Sequence, residues 1–389
     1  MENKTVCEKN RCTGCNACIQ ICPKGAIMLQ DDCQTLNAVI DEKKCIHCNA
    51  CVRACQVIQK PELQRSVEWF QGWTANNVNR ELSSSGGFAY EIAKQWIADG
   101  GFVCSCIFSE GKFQYQIIKQ KSELEKIRGS KYVKSELGNI YREIRTLLPH
   151  KKVLFIGLPC HVGGLLTYLG KYKTENLVTI DLICHGTPSV KLLSLFLKQS
   201  NISINSLQNI HFRKKNKYRV VCYKRIDFAK NNRISFTPED VRDRYTMAFL
   251  NGLNHTENCY SCRYAGNKRI SDITIGDSWG SELKEEEQAK GISLALCQTE
   301  KGSLLLKRTS LHLEAVDLNK AITANHQLSH PSKMPKERKL FFDSLKQGIK
   351  FDKAVAKCYP KACFRADVKT FLIKWHLWGF VKKVMGIKS

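Results

Sequence analysis

Eight cysteines near the start of the chain form two copies of one pattern. Cys12, Cys15, Cys18 and Cys22 are followed by Pro23, and Cys45, Cys48, Cys51 and Cys55 repeat the spacing 33 residues later. Thiolates this close in sequence can wrap a cubane of iron and sulfide, and in two-cluster arrangements the fourth cysteine of each run ligates the other run's cluster. On that pattern Cys12, Cys15, Cys18 and Cys55 hold one 4Fe-4S cluster, and Cys45, Cys48, Cys51 and Cys22 hold the second. A disulfide or zinc framework fits less well, because zinc sites pair short Cys-x-x-Cys clips and have no use for four cysteines crowded into one short run. Gln56 stands where a second proline is expected, which changes a turn but no ligand. Cys7 and Cys33 read as spare thiols.

Four more cysteines fall where a sheet would bring them together. Residues 153–157 read as a strand running into Pro159-Cys160-His161 and a helix from Val162. Residues 177–183 read as a strand running into Cys184-His185-Gly186 and a helix through Leu197. If these strands are parallel neighbours, Cys160 and Cys184 share the sheet's carboxyl edge, where α/β sheets bind their ligands. A clip, Cys259-x-x-Cys262, follows a helix at 240–250 and precedes a strand at 271–275. Together the four thiols would serve a third cubane or a structural zinc equally well.

The elements upstream offer an anion site. Ser83-Ser84-Ser85-Gly86-Gly87 precedes residues 88–98, where Phe88, Ile92, Trp96 and Ile97 recur at helical spacing. Backbone N–H groups at a helix N-terminus, with glycines allowing close approach, suit a cofactor pyrophosphate. Serine is also the ordinary helix cap, and standing alone the run reads as that. Residues 101–108 look like a buried strand with Cys104 and Cys106 on one face, both read as core cysteines.

With 389 residues the chain has room for two or three domains. The expected division is an iron-sulfur domain at 1–60, a body in two parts at 66–150 and 151–320, and a helical basic extension at 321–389. Twenty cysteines imply a reducing compartment, hence the cytoplasm. No secretory signal opens the chain, and residues 153–169 are too interrupted by Pro159, His161 and the Gly163-Gly164 pair to span a membrane. Net charge is +25, of which residues 1–60 carry only +2, from eight basic and six acidic side chains. The body should therefore attract anions.

Part of that charge lies in residues 210–236, where Arg213, Lys214, Lys215, Lys217, Arg219, Lys224 and Arg225 alternate with Phe212, Tyr218 and Tyr223. The expected form is a solvated two-stranded hairpin turning near Asn231-Asn232. An anionic substrate is the second reading, and no nucleic-acid partner is expected, since no RNA or DNA module is recognisable. Residues 368–389 mix Phe371, Leu372, Trp375, Leu377, Trp378, Phe380 and Val381 with Lys369, Lys374, Lys382 and Lys383. Their apolar positions do not form one clean stripe, so packing on the protein's own body is expected ahead of peripheral membrane contact or a partner.

Taken in order, Ser84-Ser85-Gly86-Gly87, Gly129-Ser130-Lys131-Tyr132-Val133, Gly157-Leu158-Pro159-Cys160, Ile183-Cys184-His185-Gly186, Cys259-x-x-Cys262 and residues 271–280 resemble the beta-subunit family of coenzyme F420 hydrogenases and dehydrogenases. The resemblance spans about residues 66–300, and the family commonly carries this kind of N-terminal ferredoxin domain. It implies an α/β (α+β) flavin-binding body with a mixed or parallel sheet, its own 4Fe-4S cluster at Cys160, Cys184, Cys259 and Cys262, and FAD. Ser84, Ser85, Gly86 and Gly87 become the pyrophosphate cradle, with Lys131 and Tyr132 as flavin contacts. Lys131 would stabilise charge on reduced flavin, and His185 is a candidate proton donor, although a structural hydrogen bond suits it better. The sequence departs from the family pattern at His161, where an amide is usual, and at the Cys104 and Cys106 pair.

The implied activity passes electrons from a ferredoxin or flavodoxin through the clusters to FAD. The acceptor would be an anionic small molecule, either the deazaflavin coenzyme or a sugar or nucleotide-sugar intermediate of surface-polysaccharide synthesis. The alternative is an electron-transfer beta subunit serving a separate catalytic chain.

Overall fold

The repeat in cysteine spacing is also a repeat in backbone. Asn16 and Asn49 hold the same place in the two runs, and each takes a left-handed conformation at φ 57° just ahead of a short helix, α1 (Ala17–Ile21) or α2 (Ala50–Ala54). Asparagine tolerates that region better than most side chains. A hairpin of β1 (Ile27–Asp31) and β2 (Leu36–Ile40) joins the halves, in antiparallel register from Ile27↔Ile40 to Asp31↔Leu36. The computed structural model describes residues 4–172, 174–224 and 232–384.

The body is built on an eight-stranded mixed sheet. It begins with β3 (Glu68–Thr74), β4 (Phe102–Ser109), β5 (Lys112–Ile118), β6 (Val153–Gly157) and β7 (Leu177–Leu182). A separate ribbon of β8 (Leu207–Lys214), β9 (Lys217–Lys224) and β10 (Arg233–Ser235) intervenes, and β11 (Ile273–Asp277), β12 (Ser293–Cys297) and β13 (Leu311–Glu314) complete the sheet. The order across it is β13-β3-β12-β11-β7-β6-β4-β5. β11, β7, β6 and β4 run parallel at the centre, and the outer pairings are antiparallel. Strands from both expected parts of the body thus share one sheet.

β6 is buried at every residue, as a parallel strand covered on both faces must be, and its Val-Leu-Phe-Ile run follows from that. One face of the sheet packs under α3 (Phe88–Ala98), through Phe88, Ile92 and Ala93 against Val103, Leu154 and Ile180. The other packs under α4 (Ile140–Leu147) and α5 (Pro159–Leu169), through Ile144, Val162 and Leu165 against Val153, Phe155 and Leu177. The bounds of α3 and β6 are those read from the sequence. α5 begins three residues earlier than Val162, because proline suits the first helical position, and this moves Cys160 from a turn into the helix's first turn.

The ribbon differs from expectation. It turns first at Lys215 and Asn216, where Lys215 takes φ 52°, and it has three strands rather than two. Arg225, Asn231 and the rest of 225–231 lie outside the described residues. Nor is the ribbon solvated on both faces. Leu207, Ile210, Phe212, Val220 and Cys222 are buried against α6 (Val190–Lys198), α7 (Arg244–Leu250) and two helices of the extension, α8 (Arg338–Lys346) and α9 (Phe351–Cys358). The chain then continues as α10 (Pro360–Lys374) and α11 (Trp378–Val384). This last stretch packs onto the body only in part: Lys369 donates to Asp240 O, while Phe371, Trp375, Leu377 and Phe380 are exposed, and residues 385–389 lie outside the described residues.

Candidate electron-transfer centres

Cys55 of the second run sits with Cys12, Cys15 and Cys18 of the first, and all four line one small enclosed pocket. Cys55 is the residue that ends α2, as Cys22 ends α1. Cys51 lies within electrostatic reach of Cys22 and Cys45, on a more open side where Cys48 is exposed. Cys12 accepts from the Gly14 N–H at 3.5 Å and Cys22 from the Ala26 N–H at 3.3 Å. Such donors stabilise negative charge on sulfur.

Cys7, read as spare, is a fifth thiol on the first pocket. Its hydrogen bonds to Cys12 and Cys55 push it far above the ordinary thiol range, while the bond from Cys7 lowers Cys12 and lowers Cys55 to about 6. Cys7 lies where its S–H could donate to the Cys12 and Cys55 sulfurs, and that is the role proposed for it rather than that of a ligand. Cys7→Ala should therefore keep the iron of that site and lower its reduction potential by about 40 mV, the equivalent of about 1 kcal/mol for one net hydrogen bond in a one-electron couple. Redox titration followed by electron paramagnetic resonance checks this, and loss of iron would instead make Cys7 a ligand.

The second constellation assembles at the carboxyl edge of the sheet. Cys160 opens α5 after β6, and Cys184 follows β7. Cys259 lies in a tight turn, Glu257–Ser261, and Cys262 directly after it. All four line a cavity of about 310 Å³ shared with Thr13, Lys134 and His185. Burial pushes Cys160 up to about 12 and Cys184 up as well. Among the described residues no three Cys, His, Asp or Glu side chains converge closely enough to hold a single metal ion. The four sulfurs line one cavity.

Three features tie this cavity to the N-terminal domain. A Cβ added to Gly164 would lie 2.7 Å from Cys15 Cβ, so glycine there lets α5 meet that domain closely, and one added to Gly163 would lie 2.1 Å from the hydroxyl of the body's own Tyr264. Gln56 donates to Thr13 Oγ1 at 2.7 Å and accepts from Tyr264 at 2.5 Å. Lys134 is buried and donates to the Thr13 carbonyl at 3.1 Å. Burial opposes its charge, but Cys160, Cys259, Cys184 and Cys12 outweigh that and raise its pKa. It is a fixed cation between the two thiol sets. Sequence reasoning missed Gln56 and Lys134 as junction residues, and the only signal for Lys134 was its place directly after the Gly129–Val133 motif.

His185 donates or accepts at both ring nitrogens, with Leu250 O at 3.2 Å and Gln327 Nε2 at 2.5 Å, and burial lowers its pKa. Burial favours the neutral ring, and the two hydrogen bonds fix its orientation. His161 bonds the Tyr115 hydroxyl through Nδ1 at 2.9 Å, and its buried Nε2 has no partner. Cys104 is fully buried in the core, and Cys106, half-buried, lies 3.0 Å from Ser135 Oγ.

The small-residue run packs against the sheet. Gly86 N–H donates to Ser293 Oγ at 2.9 Å, Ser85 donates to Ile292 O at 2.7 Å, and Ser84 Oγ accepts from the Ser130 N–H at 2.9 Å. Gly87, at φ 93°, caps α3. Cations crowd the run: Arg213 reaches Ser84 O, Lys215 reaches Ser85 O, and Arg128 reaches Ser83 Oγ. Arg213 is anchored by a two-pronged ion pair to Asp277 at the carboxyl end of β11, at 2.7 and 2.9 Å. Lys131 directs its ammonium to the carbonyls of Ile127 and Arg128, and burial lowers its pKa to about 8. Tyr132 stacks on Phe249 at 4.2 Å between centroids.

A two-run cysteine domain locked onto a mixed α/β body, with four further thiols at their junction, defines an iron-sulfur protein of electron transfer. Residues 150–320 match the family defined by the C terminus of the coenzyme F420 hydrogenase/dehydrogenase beta subunit, and residues 11–58 match the 4Fe-4S dicluster domain. In these two regions the chain is similar to the F420 hydrogenase beta-subunit family and to 4Fe-4S dicluster domains. Among solved structures, it is similar to a chain of the F420-reducing NiFe hydrogenase complex from Methanosarcina barkeri, at 17% identity and a TM-score of 0.48, covering 74% of this chain and 96% of that one. A likeness of that degree says nothing about mechanism. No curated protein matches the chain. No helix among the described residues is long and apolar enough to cross a membrane.

Proposed function

We propose that this protein is an FAD-dependent iron-sulfur oxidoreductase that carries electrons from an external donor to an anionic organic substrate. The observation that supports it above the others is the cavity lined by Cys160, Cys184, Cys259 and Cys262, bordered by Thr13 of the cysteine-run domain and by Lys134. Bound 4Fe-4S clusters would supply one-electron transfer there, and FAD would exchange two electrons. Four thiols at one cavity suit a cluster, and the cation-rich run is the proposed seat of FAD. The cavity offers four thiols, and the Ser83–Gly87 region offers a helix N-terminus ringed by Arg128, Arg213 and Lys215.

In this reading α5 is the junction. Its first turn supplies Cys160, and Gly164 admits Cys15 of the other domain against the same helix. Lys134 offsets the negative charge that four thiolates would gather in a low-dielectric site. Arg213 and Asp277 clamp the ribbon onto the small-residue run, and the cations around that run would neutralise a pyrophosphate. The substrate would be the deazaflavin coenzyme or an anionic sugar or nucleotide-sugar. A ferredoxin or flavodoxin is the proposed donor.

The exposed side of the second run favours one further reading. Cys48 at the surface, with Cys45 and Cys51 half-buried, presents a docking face for a donor or for a catalytic partner chain. A subunit of that kind would be reduced by a chemical reductant and turn over no organic substrate alone.

Anaerobic purification with iron, sulfide, zinc and flavin analysis tests the proposal. About twelve iron atoms and one FAD per chain are expected from three cubanes. About eight iron atoms with one zinc would return the third site to a structural role.

A further inference from the structure

The last two helices present an apolar surface that the protein leaves uncovered. On α10, Phe364, Val368 and Phe371, with Trp375 just beyond its end, are spaced four, three and four residues apart. At helical pitch they fall within an arc of about 60°. They are far from buried: Phe364 is 69% exposed and Trp375 is 65% exposed. The stripe continues through Leu377 to Phe380 and Val384 of α11, which are 71% and 70% exposed. Other faces of α10 hold it to the body. Cys363 is buried in the core with α8 and α9, Asp367 pairs with Arg244 at 2.6 Å, and Lys369 donates to Asp240 O at 2.9 Å. The helix is therefore fixed with its aromatic stripe turned outward.

Charge borders this stripe on both sides. On the helical wheel Lys361 and Arg365 lie along one margin; along the other Lys374 lies beyond Asp367, whose carboxylate is paired with Arg244, and all four are exposed. No acidic residue falls within the stripe. Aromatic rings flanked by long cationic side chains suit the boundary between acyl chains and headgroups, where the rings sink in and the cations reach back to phosphate. A protein groove would cover the rings equally well but would give the two basic margins no common counter-charge.

We propose that α10 and α11 form an in-plane docking surface for an anionic phospholipid membrane, seating this protein on a lipid surface without crossing it. The proposal holds whatever the redox substrate is.

The test uses the full-length, anaerobically purified protein in sedimentation with vesicles of phosphatidylcholine, with or without about a third phosphatidylserine. The wild type should pellet with the phosphatidylserine vesicles, less so as salt rises, and stay largely in solution with phosphatidylcholine alone. Phe371→Glu with Trp375→Glu should weaken binding by at least about a hundredfold. Lys361→Gln with Arg365→Gln should weaken it by about 25-fold, about fivefold for each charge. Unchanged iron content and visible absorbance in each variant would show that the fold is intact. The proposal is overturned if the wild type ignores phosphatidylserine vesicles at low salt, or if the aromatic variant binds them as well as the wild type. It is also overturned if the stripe proves to be a contact between copies, shown by a dimer in sedimentation velocity that the aromatic substitutions dissolve and by no lipid binding.

Discussion

Cys184→Ala should lower the iron content from about twelve to about eight atoms per chain, with sulfide falling in step. Cys184 stands directly after β7, at the edge of the central parallel strands, with Cys160 across from it after β6 and the Cys259-x-x-Cys262 turn closing the cavity. Three remaining thiols leave one corner of a cubane without protein sulfur, and no neighbouring side chain offers a substitute: the imidazole of His185 is already committed to Leu250 and Gln327. The two clusters proposed for the N-terminal domain share no ligand with this site, so their iron should remain. Chemical reductant should still reduce that domain, while electron delivery to the proposed flavin slows by at least about a hundredfold, about 2.7 kcal/mol on the barrier. Iron analysis and stopped-flow absorbance read the two halves separately. Cys33→Ala serves as the control, since Cys33 lies outside both cavities and should leave both readouts unmoved. Twelve iron atoms in Cys184→Ala would remove this residue from the ligand set.

The contrast between Cys184 and Lys134 shows what a sequence displays and what it conceals. Cysteine spacing is itself the chemistry, because a loop of fixed length either reaches a cluster or does not, so both N-terminal runs were readable as written. β6 was readable for a related reason: a strand covered on both faces must be apolar throughout. Lys134, Gln56 and Arg213 carry no signal of their partners. Gln56 meets Tyr264 across 208 positions and Arg213 meets Asp277 across 64, and each is meaningful only once the sheet has brought its partner close. The ribbon's first turn escaped notice because Lys215 and Asn216 sit inside an unbroken basic run with no glycine to mark it. The exposed stripe of α10 was hidden because Ile373 and Leu372, on other faces of the helix, blur the pattern when every apolar residue counts equally. Only the packing of Cys363 shows which face is inward.

Arg269→Met should destabilise the protein by about 3–5 kcal/mol, the range for removing one partner of a buried ion pair. Arg269 is 1% exposed and donates to Asp181 Oδ1 at 2.9 Å, to Leu182 O at 2.9 Å and to Tyr264 O at 2.5 Å. Asp181 is fully buried in β7, and its second oxygen has no hydrogen-bond partner, so the guanidinium is its main compensation. Without it a carboxylate and two carbonyls are left dry and unpaired. Against a total stability of about 5–15 kcal/mol, that loss is large. Its position makes it more than a matter of stability: Leu182 closes the strand that leads to Cys184, and Tyr264 follows Cys262, so one side chain ties together the two loops that carry these thiols. Arg269→Met should consequently lose the third site's iron under mild conditions that leave the N-terminal iron in place. Asp181→Leu combined with Arg269→Met should recover most of the stability, because no buried charge is then orphaned. The measurements are the urea midpoint followed by circular dichroism and the iron count at each step, all without oxygen. A single variant with an unchanged midpoint and full iron would show that the pair neither braces the sheet edge nor positions the thiols.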